Sequence, residues 1–185
     1  MLYTRKGDQG TTKLFNTPKG ERVSKASCQT EALGAMDEMN SFLGLVKVKS
    51  AEQKYKFKDT YIADLVHGVQ ANLFIIQAEL AGSDMTILKE KIDSIEAVID
   101  AIEKEMPPIT TFFISGGTEL ASLFDISRTL ARKAERRVIK GIEEESFVVG
   151  EHTRQYLNRL SSLLYALARY ANHSAGISET APNYT

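Results

Sequence analysis

The chain has 185 residues, 43% of them hydrophobic, with four prolines and a formal net charge of -1. That length sets a single domain with a substantial core, and the near-zero charge removes the field that broad nucleic-acid binding requires, so any basic site is local. A single cysteine, Cys28, excludes an internal disulfide and fits a reducing compartment; no paired base is visible near it, so the thiol reads as buried or idle.

The opening Met1 Leu2 Tyr3 Thr4 Arg5 Lys6 has no apolar core of the secretory kind. From Tyr3 to Phe15 the chain is dense in glycine and threonine, and Asn16 to Glu21 forms a further loop. Gly7 and Gly10 among threonines and Arg5 are able to turn backbone N–H groups toward an anion, although the spacing of a Walker phosphate loop is absent and a plain turn is the default reading.

Helical periodicity starts near Ala26. Ala32, Ala35, Met36, Met39, Phe42, Leu43 and Val46 predict a first helix from about Ser27 to about Lys49, with Asp37 and Glu38 inside it. After a charged connection over 54–59, a second helix is expected from about Thr60 to Ala81, with Ile62, Leu65, Val66, Val69, Leu73, Phe74, Ile76 and Leu80 on a broad apolar face. Its longest uncharged run, Leu65 to Ala78, is interrupted by His67, Gln70, Asn72 and Gln77 and falls short of the roughly 20 apolar residues a membrane span needs. Thr86 is the expected cap of a third helix carrying Ile92, Ile95, Ile99, Ile102 and Met106, which Pro107 and Pro108 terminate.

Thr118 caps a fourth predicted helix, with Leu120, Leu123, Phe124, Leu130, Ala134 and Val138 inward. Arg128, Arg132 and Arg136 fall at i, i+4 and i+8, one stripe with Glu135 beside it. Guanidinium groups in a row repel unless carboxylates or a polyanion neutralise them, yet from this segment alone a solvated basic face is the default reading. A fifth helix follows from about Glu151 to about Ala175 on Tyr156, Leu160, Leu163, Leu164, Leu167 and Ala171, and 178–185 reads as a polar tail. The expected architecture is all-α, a five-helix antiparallel bundle over 26–175 in a single domain of 1–185, with a flexible N-terminal segment at 1–25 and a tail at 176–185. Glu-x-x-His pairs of the di-metal bundle proteins are absent, and His67, His152 and His173 share no ligand spacing.

Six ordered motifs carry a family resemblance: 4–12 (TRKGDQGTT), 22–25 (RVSK), 34–41 (GAMDEMNS), 112–117 (FFISGG), 128–137 (RTLARKAERR) and 156–161 (YLNRLS). Together they resemble the ATP:cob(I)alamin adenosyltransferases of the propanediol-utilisation type. The resemblance implies transfer of the 5′-deoxyadenosyl group of ATP to the cobalt of cob(I)alamin, magnesium on the triphosphate, and a homotrimer with active sites at subunit interfaces. A cytoplasmic protein without nucleic-acid or membrane partners is expected, with a flavoprotein reductase as a further partner. By resemblance Thr4, Arg5, Lys6, Gly7, Thr12, Lys25, Arg132, Lys133, Arg136 and Asn158 contact ATP, and Glu135 contacts ribose or magnesium. Phe112 is implied as the wedge that keeps the lower ligand off the cobalt; from the residues alone Phe113 is an equal candidate and a core role the default. Asp37 is implied to pair with Arg128 across the subunit boundary. Ser115, Lys133 and Ser162 stand where family members commonly have proline, arginine and aspartate, and the 16–21 loop is longer and more charged than usual. The alternative function is an ATP-binding helical-bundle regulator without transferase activity.

Overall fold

A computed structural model describes residues 3–184, so Met1, Leu2 and Thr185, which enter the leader and tail readings, lie outside the described residues. The five helices are α1 (Cys28–Glu52), α2 (Ile62–Leu80), α3 (Lys89–Glu103), α4 (Glu119–Glu143) and α5 (Glu151–Ser174). Ahead of α1 lie the two-residue strands β1 (Thr11–Thr12) and β2 (Val23–Ser24), and between α1 and α2 lie β3 (Lys56–Phe57) and β4 (Thr60–Tyr61).

Local chemistry explains most of the boundaries. The Ser27 hydroxyl accepts from the Thr30 N–H and starts α1, and the Thr118 hydroxyl accepts from the Ala121 N–H at 3.0 Å and starts α4. The charged connection is a hairpin rather than a plain loop: Lys56 opposes Tyr61, Phe57 opposes Thr60, and Lys58 turns the chain at φ 50°. Phe57 is buried with its ring edge-on to Tyr170, 5.0 Å between centroids, so one apolar side chain pins the hairpin to α5.

Thr86 does not cap α3. That helix begins at Lys89 without a side-chain cap, because the Thr86 hydroxyl is spent on Glu79, 3.1 Å away. The same carboxylate, at the end of α2, accepts from the Gly150 N–H at 2.6 Å and the Thr153 hydroxyl at 2.5 Å. Glu79 thereby supplies the cap that α5, preceded by Gly150, lacks in its own sequence, and its negative charge suits a helix N-terminus. Glu79→Ala is expected to destabilise the protein by about 2 kcal/mol in urea unfolding, with Glu79→Gln in between, because buried donors lose their acceptor.

In the core, α4 packs between α1 and α5, α2 packs on α1 and α3 on α5. Ion pairs run Glu31 to Arg137, Glu38 to Lys133 and Glu119 to Lys49, so α1 and α4 are antiparallel. Tyr156 is fully buried, accepts a bond from Asn72 at 3.1 Å, and has its phenol pushed up to about 12 by burial. The α5 stripe is buried as expected. On α2, however, Phe74 is 67% exposed. Its neighbour Leu73 takes the inward position, and residues one apart are ~100° apart on a helix.

Candidate active site beside the fourth helix

The cations of α4 divide into two stripes. On the first, the Arg128 Nε lies 3.1 Å from Asp125 Oδ1, with its guanidinium 5.6 Å from the Tyr165 ring centre. Arg132 and Arg136 are not buried, and neither has an ion-pair partner among the described residues. Beside them Glu135 accepts from the Asn158 amide at 3.0 Å, while Arg159 donates to Asn158 Oδ1 at 2.9 Å and to Glu96 at 2.7 Å. Asn158 is therefore oriented, and two guanidinium groups next to it are free for an anion.

The second stripe begins ~100° round the helix. Lys133 pairs with Glu38 at 2.5 Å and Arg137 with Glu31 at 3.7 Å, both across to α1. Arg137, to which the motifs assign no role, thus helps to clamp α4 to α1. Within one chain Lys133 is turned away from Arg132 and shares a cavity of about 310 Å³ with Lys25, Glu31 and Glu38. The expected grouping of Lys133 with Arg132 and Arg136 is not made inside a single chain.

Residues 3–25 form a small hairpin. Thr11 opposes Ser24 and Thr12 opposes Val23, and Arg22 ties the turn by donating to the Thr11 hydroxyl and carbonyl, both at 2.8 Å. The Lys25 ammonium donates to the Gly7 carbonyl at 3.0 Å, and its backbone N–H to the Gly10 carbonyl at 2.9 Å. Thr4, Arg5 and Lys6 are exposed, with Arg5 at φ 60°. Lys25 carries this segment to the α1 side of α4, whereas Arg132 faces α5, the helix that carries Asn158. Asp37 is exposed on α1 without an ion-pair partner among the described residues, and Arg128 takes Asp125 within the chain.

A cleft of about 560 Å³ opens between α4, α5 and the 109–113 segment, lined among others by Phe112, Phe113, Arg128, Arg132, Ser162 and Tyr165. Its two phenylalanines differ. Phe113 is half-buried, with the Arg169 guanidinium 5.4 Å from its ring centre, while Phe112 is 80% exposed. A core role is thereby excluded for Phe112, and it is the ring free to meet a ligand. Ser162 presents a neutral hydroxyl to this cleft where an aspartate would add negative charge beside Arg132. Tyr165 is a cleft residue that none of the motifs marks, though it stands seven residues from Asn158, on the same face of α5.

The Cys28 thiol donates to Glu144 Oε2 at 2.7 Å, and that bond raises its pKa above the ordinary value. A thiol so held is a poor nucleophile at neutral pH. Among the described residues no three His, Cys, Asp or Glu side chains gather into a metal cage. A magnesium ion would fit only as one carried by phosphate oxygens, with Glu135 the carboxylate on the arginine stripe.

Fold and site define an all-α bundle protein whose cleft joins the unpaired Arg132 guanidinium to the exposed Phe112 ring. The chain belongs to the cobalamin adenosyltransferase family, whose model matches residues 2–171. It is 39% identical to the corrinoid adenosyltransferase PduO of Citrobacter freundii over 181 residues, covering 94% of this chain and 50% of that protein. Identity to the corrinoid adenosyltransferase of Bacillus subtilis is 37%, covering 96% and 90% of the two chains. The chain thus spans about half the length of the first relative and most of the second. Among solved structures, a variant of the PduO-type ATP:corrinoid adenosyltransferase from Lactobacillus reuteri, complexed with cobalamin and ATP, superposes with a TM-score of 0.87 at 25% identity, covering 100% of this chain and 97% of that one. Among the described residues no helix is long and apolar enough to cross a membrane.

Proposed function

We propose that this chain transfers the 5′-deoxyadenosyl group of ATP to the cobalt of cob(I)alamin, giving adenosylcobalamin and triphosphate. The observation that carries it is the pair of unpartnered guanidinium groups, Arg132 and Arg136, on the α4 stripe whose cleft is walled by the exposed Phe112. In this reaction the cobalt supplies both electrons of the new Co–C bond, and the C5′–O bond breaks toward the triphosphate. The protein has no proton to abstract. Its work is to hold C5′ in line with the cobalt and to stabilise the charge of the departing chain. Arg132, Arg136 and Asn158 serve the nucleotide, Glu135 contacts ribose or a nucleotide-borne magnesium, and Phe112 fills the space below the corrin and keeps the lower ligand off the cobalt.

The remaining assigned residues enter through a second copy. Lys25 and Lys133 line the cavity on the α1 side of α4, Gly7 is tied to Lys25, Thr4, Arg5, Lys6 and Thr12 belong to the same N-terminal segment, and Asp37 is exposed on α1 without an ion-pair partner among the described residues. Packing that side of one copy against the cleft of the next would complete the nucleotide site and pair Asp37 with Arg128. Such a head-to-tail contact closes as a ring, in this family reading a trimer. Leu45, Val48 and Ile126, exposed on α1 and α4, supply apolar surface for the contact. A flavoprotein reductase and a cytoplasmic setting, which would keep the cobalt reduced, belong to the same proposal.

The test is incubation with ATP, magnesium and chemically reduced cobalamin, read as adenosylcobalamin absorbance and released triphosphate. Folded protein that binds ATP and forms no adenosylcobalamin would overturn the reading and leave a nucleotide-binding regulator. Sedimentation of the protein at three times the chain mass is the expected companion result.

A further inference from the structure

The loop over 107–117 has no regular secondary structure, yet it carries Phe112. Its fastenings come from two places. From α5, the Asn172 amide donates to the Gly116 carbonyl at 2.8 Å and accepts from the Thr118 N–H at 2.9 Å. Gly117, at φ 100°, leaves room for this contact, since a Cβ there would collide with the Asn172 amide. One turn earlier Arg169, 6% exposed, donates to the Pro107 carbonyl at 3.2 Å and lies over the Phe113 ring.

The other place is the segment beyond α5. Glu179 takes Arg169 with both carboxylate oxygens, Nε at 2.9 Å and Nη2 at 2.7 Å. The next residue, Thr180, accepts from the Ile114 N–H at 2.8 Å. The segment expected to be a polar tail is docked: it holds Ile114 directly and, through Arg169, Pro107 and Phe113, so its hold on the loop falls on both sides of Phe112. A buried guanidinium is tolerated only when its charge is paired and its donors are used, so Arg169 and the loop depend on Glu179.

We propose that Arg169 and Glu179 are positioning residues, and that the 176–180 segment is a strap that fixes the loop presenting Phe112 to the corrinoid. The proposal rests on the adenosyl-transfer reading for its kinetic half alone. Arg132 and Arg136 stand on α4, and Asn158 stands about three turns before Arg169 on α5, outside the strap's contacts, so losing the strap affects the corrinoid side and spares ATP.

Two variants test it: Glu179→Gln, and a chain ending at Ser178, which removes Glu179 and Thr180. Both are compared with Arg169→Lys, which keeps the charge and loses the fork. Because the chain has no tryptophan, Phe112→Trp adds a single reporter, and acrylamide quenching with anisotropy follows the loop with or without each strap change. Kinetics are measured on the same strap variants with Phe112 in place. The expected result is freer emission from the introduced indole in every strap variant, with kcat/KM for cobalamin down roughly 10- to 100-fold and KM for ATP within about twofold. Unchanged quenching and anisotropy overturn the strap, whatever the activity. Equal losses toward ATP and cobalamin, together with a lowered melting temperature, overturn it too, by reducing Arg169 and Glu179 to general stability. If the unaltered protein makes no adenosylcobalamin, the functional reading fails while the fluorescence still decides the strap.

Discussion

Arg132→Ala is expected to raise the ATP KM by about 10- to 100-fold with little change in melting temperature. A charge-assisted hydrogen bond contributes roughly 1.5–3 kcal/mol, and the triphosphate meets that charge before and during reaction, so the loss falls on binding first. Stability is spared because Arg132 is exposed and has no carboxylate partner among the described residues to orphan. Arg132→Lys restores the charge without the two-pronged geometry and falls between the two. The contrast is Lys133→Ala, which breaks the pair with Glu38 and leaves that carboxylate beside Glu31. Its exposed pair contributes little to stability, about 0–1 kcal/mol, so a large effect of Lys133→Ala on ATP KM would support the proposed site shared between copies. Steady-state kinetics with varied ATP at saturating reduced cobalamin make the comparison. An Arg132→Ala enzyme with unaltered ATP KM would remove the arginine stripe from the nucleotide site.

Phe112→Ala is the second large effect, and its size depends on the starting oxidation state. With cob(II)alamin and a reductant, activity is expected to fall roughly tenfold or more, since tenfold corresponds to about 1.4 kcal/mol of barrier. With cob(I)alamin already formed, the loss is expected to stay within a few-fold. The reason lies in what a phenyl ring does: it is large, apolar and unable to coordinate, so it occupies the place of a ligand without replacing it. A ring 80% exposed contributes little to the fold, so the variant stays folded and the comparison is clean. Equal losses from both starting states would reduce Phe112 to a general contact. Phe113→Ala is expected to act differently, through the packing beneath Arg169, and to lower stability as well.

Much of the helical layer is legible because its signals are local. The 3.6-residue period of Ala32, Met36, Met39 and Leu43, or of Tyr156, Leu160, Leu163 and Leu167, decides which side turns inward, and these residues are buried. Ser27 and Thr118 are readable at helix starts because a capping hydroxyl acts two or three residues ahead. Thr86 has the same chemistry and does not cap, since Glu79, close in space from the end of α2, binds its hydroxyl first. The β3–β4 hairpin is hidden because two-residue strands show no alternation to detect.

The sequence by itself determined the number and rough span of the helices, the arginine stripe and the family motifs, since each depends on neighbours within a few residues. Only the tertiary structure decided the rest. It separated Phe112 from Phe113, turned Lys133 and Arg137 toward α1 and left Arg132 and Arg136 without ion-pair partners among the described residues, and it bound the tail to the loop through Arg169 and Glu179. The physical reason is common to all of these. A guanidinium or a phenyl ring has the same chemistry in any helix or loop, and its task is set by which distant group the packing of the bundle places within about 3 to 5 Å of it.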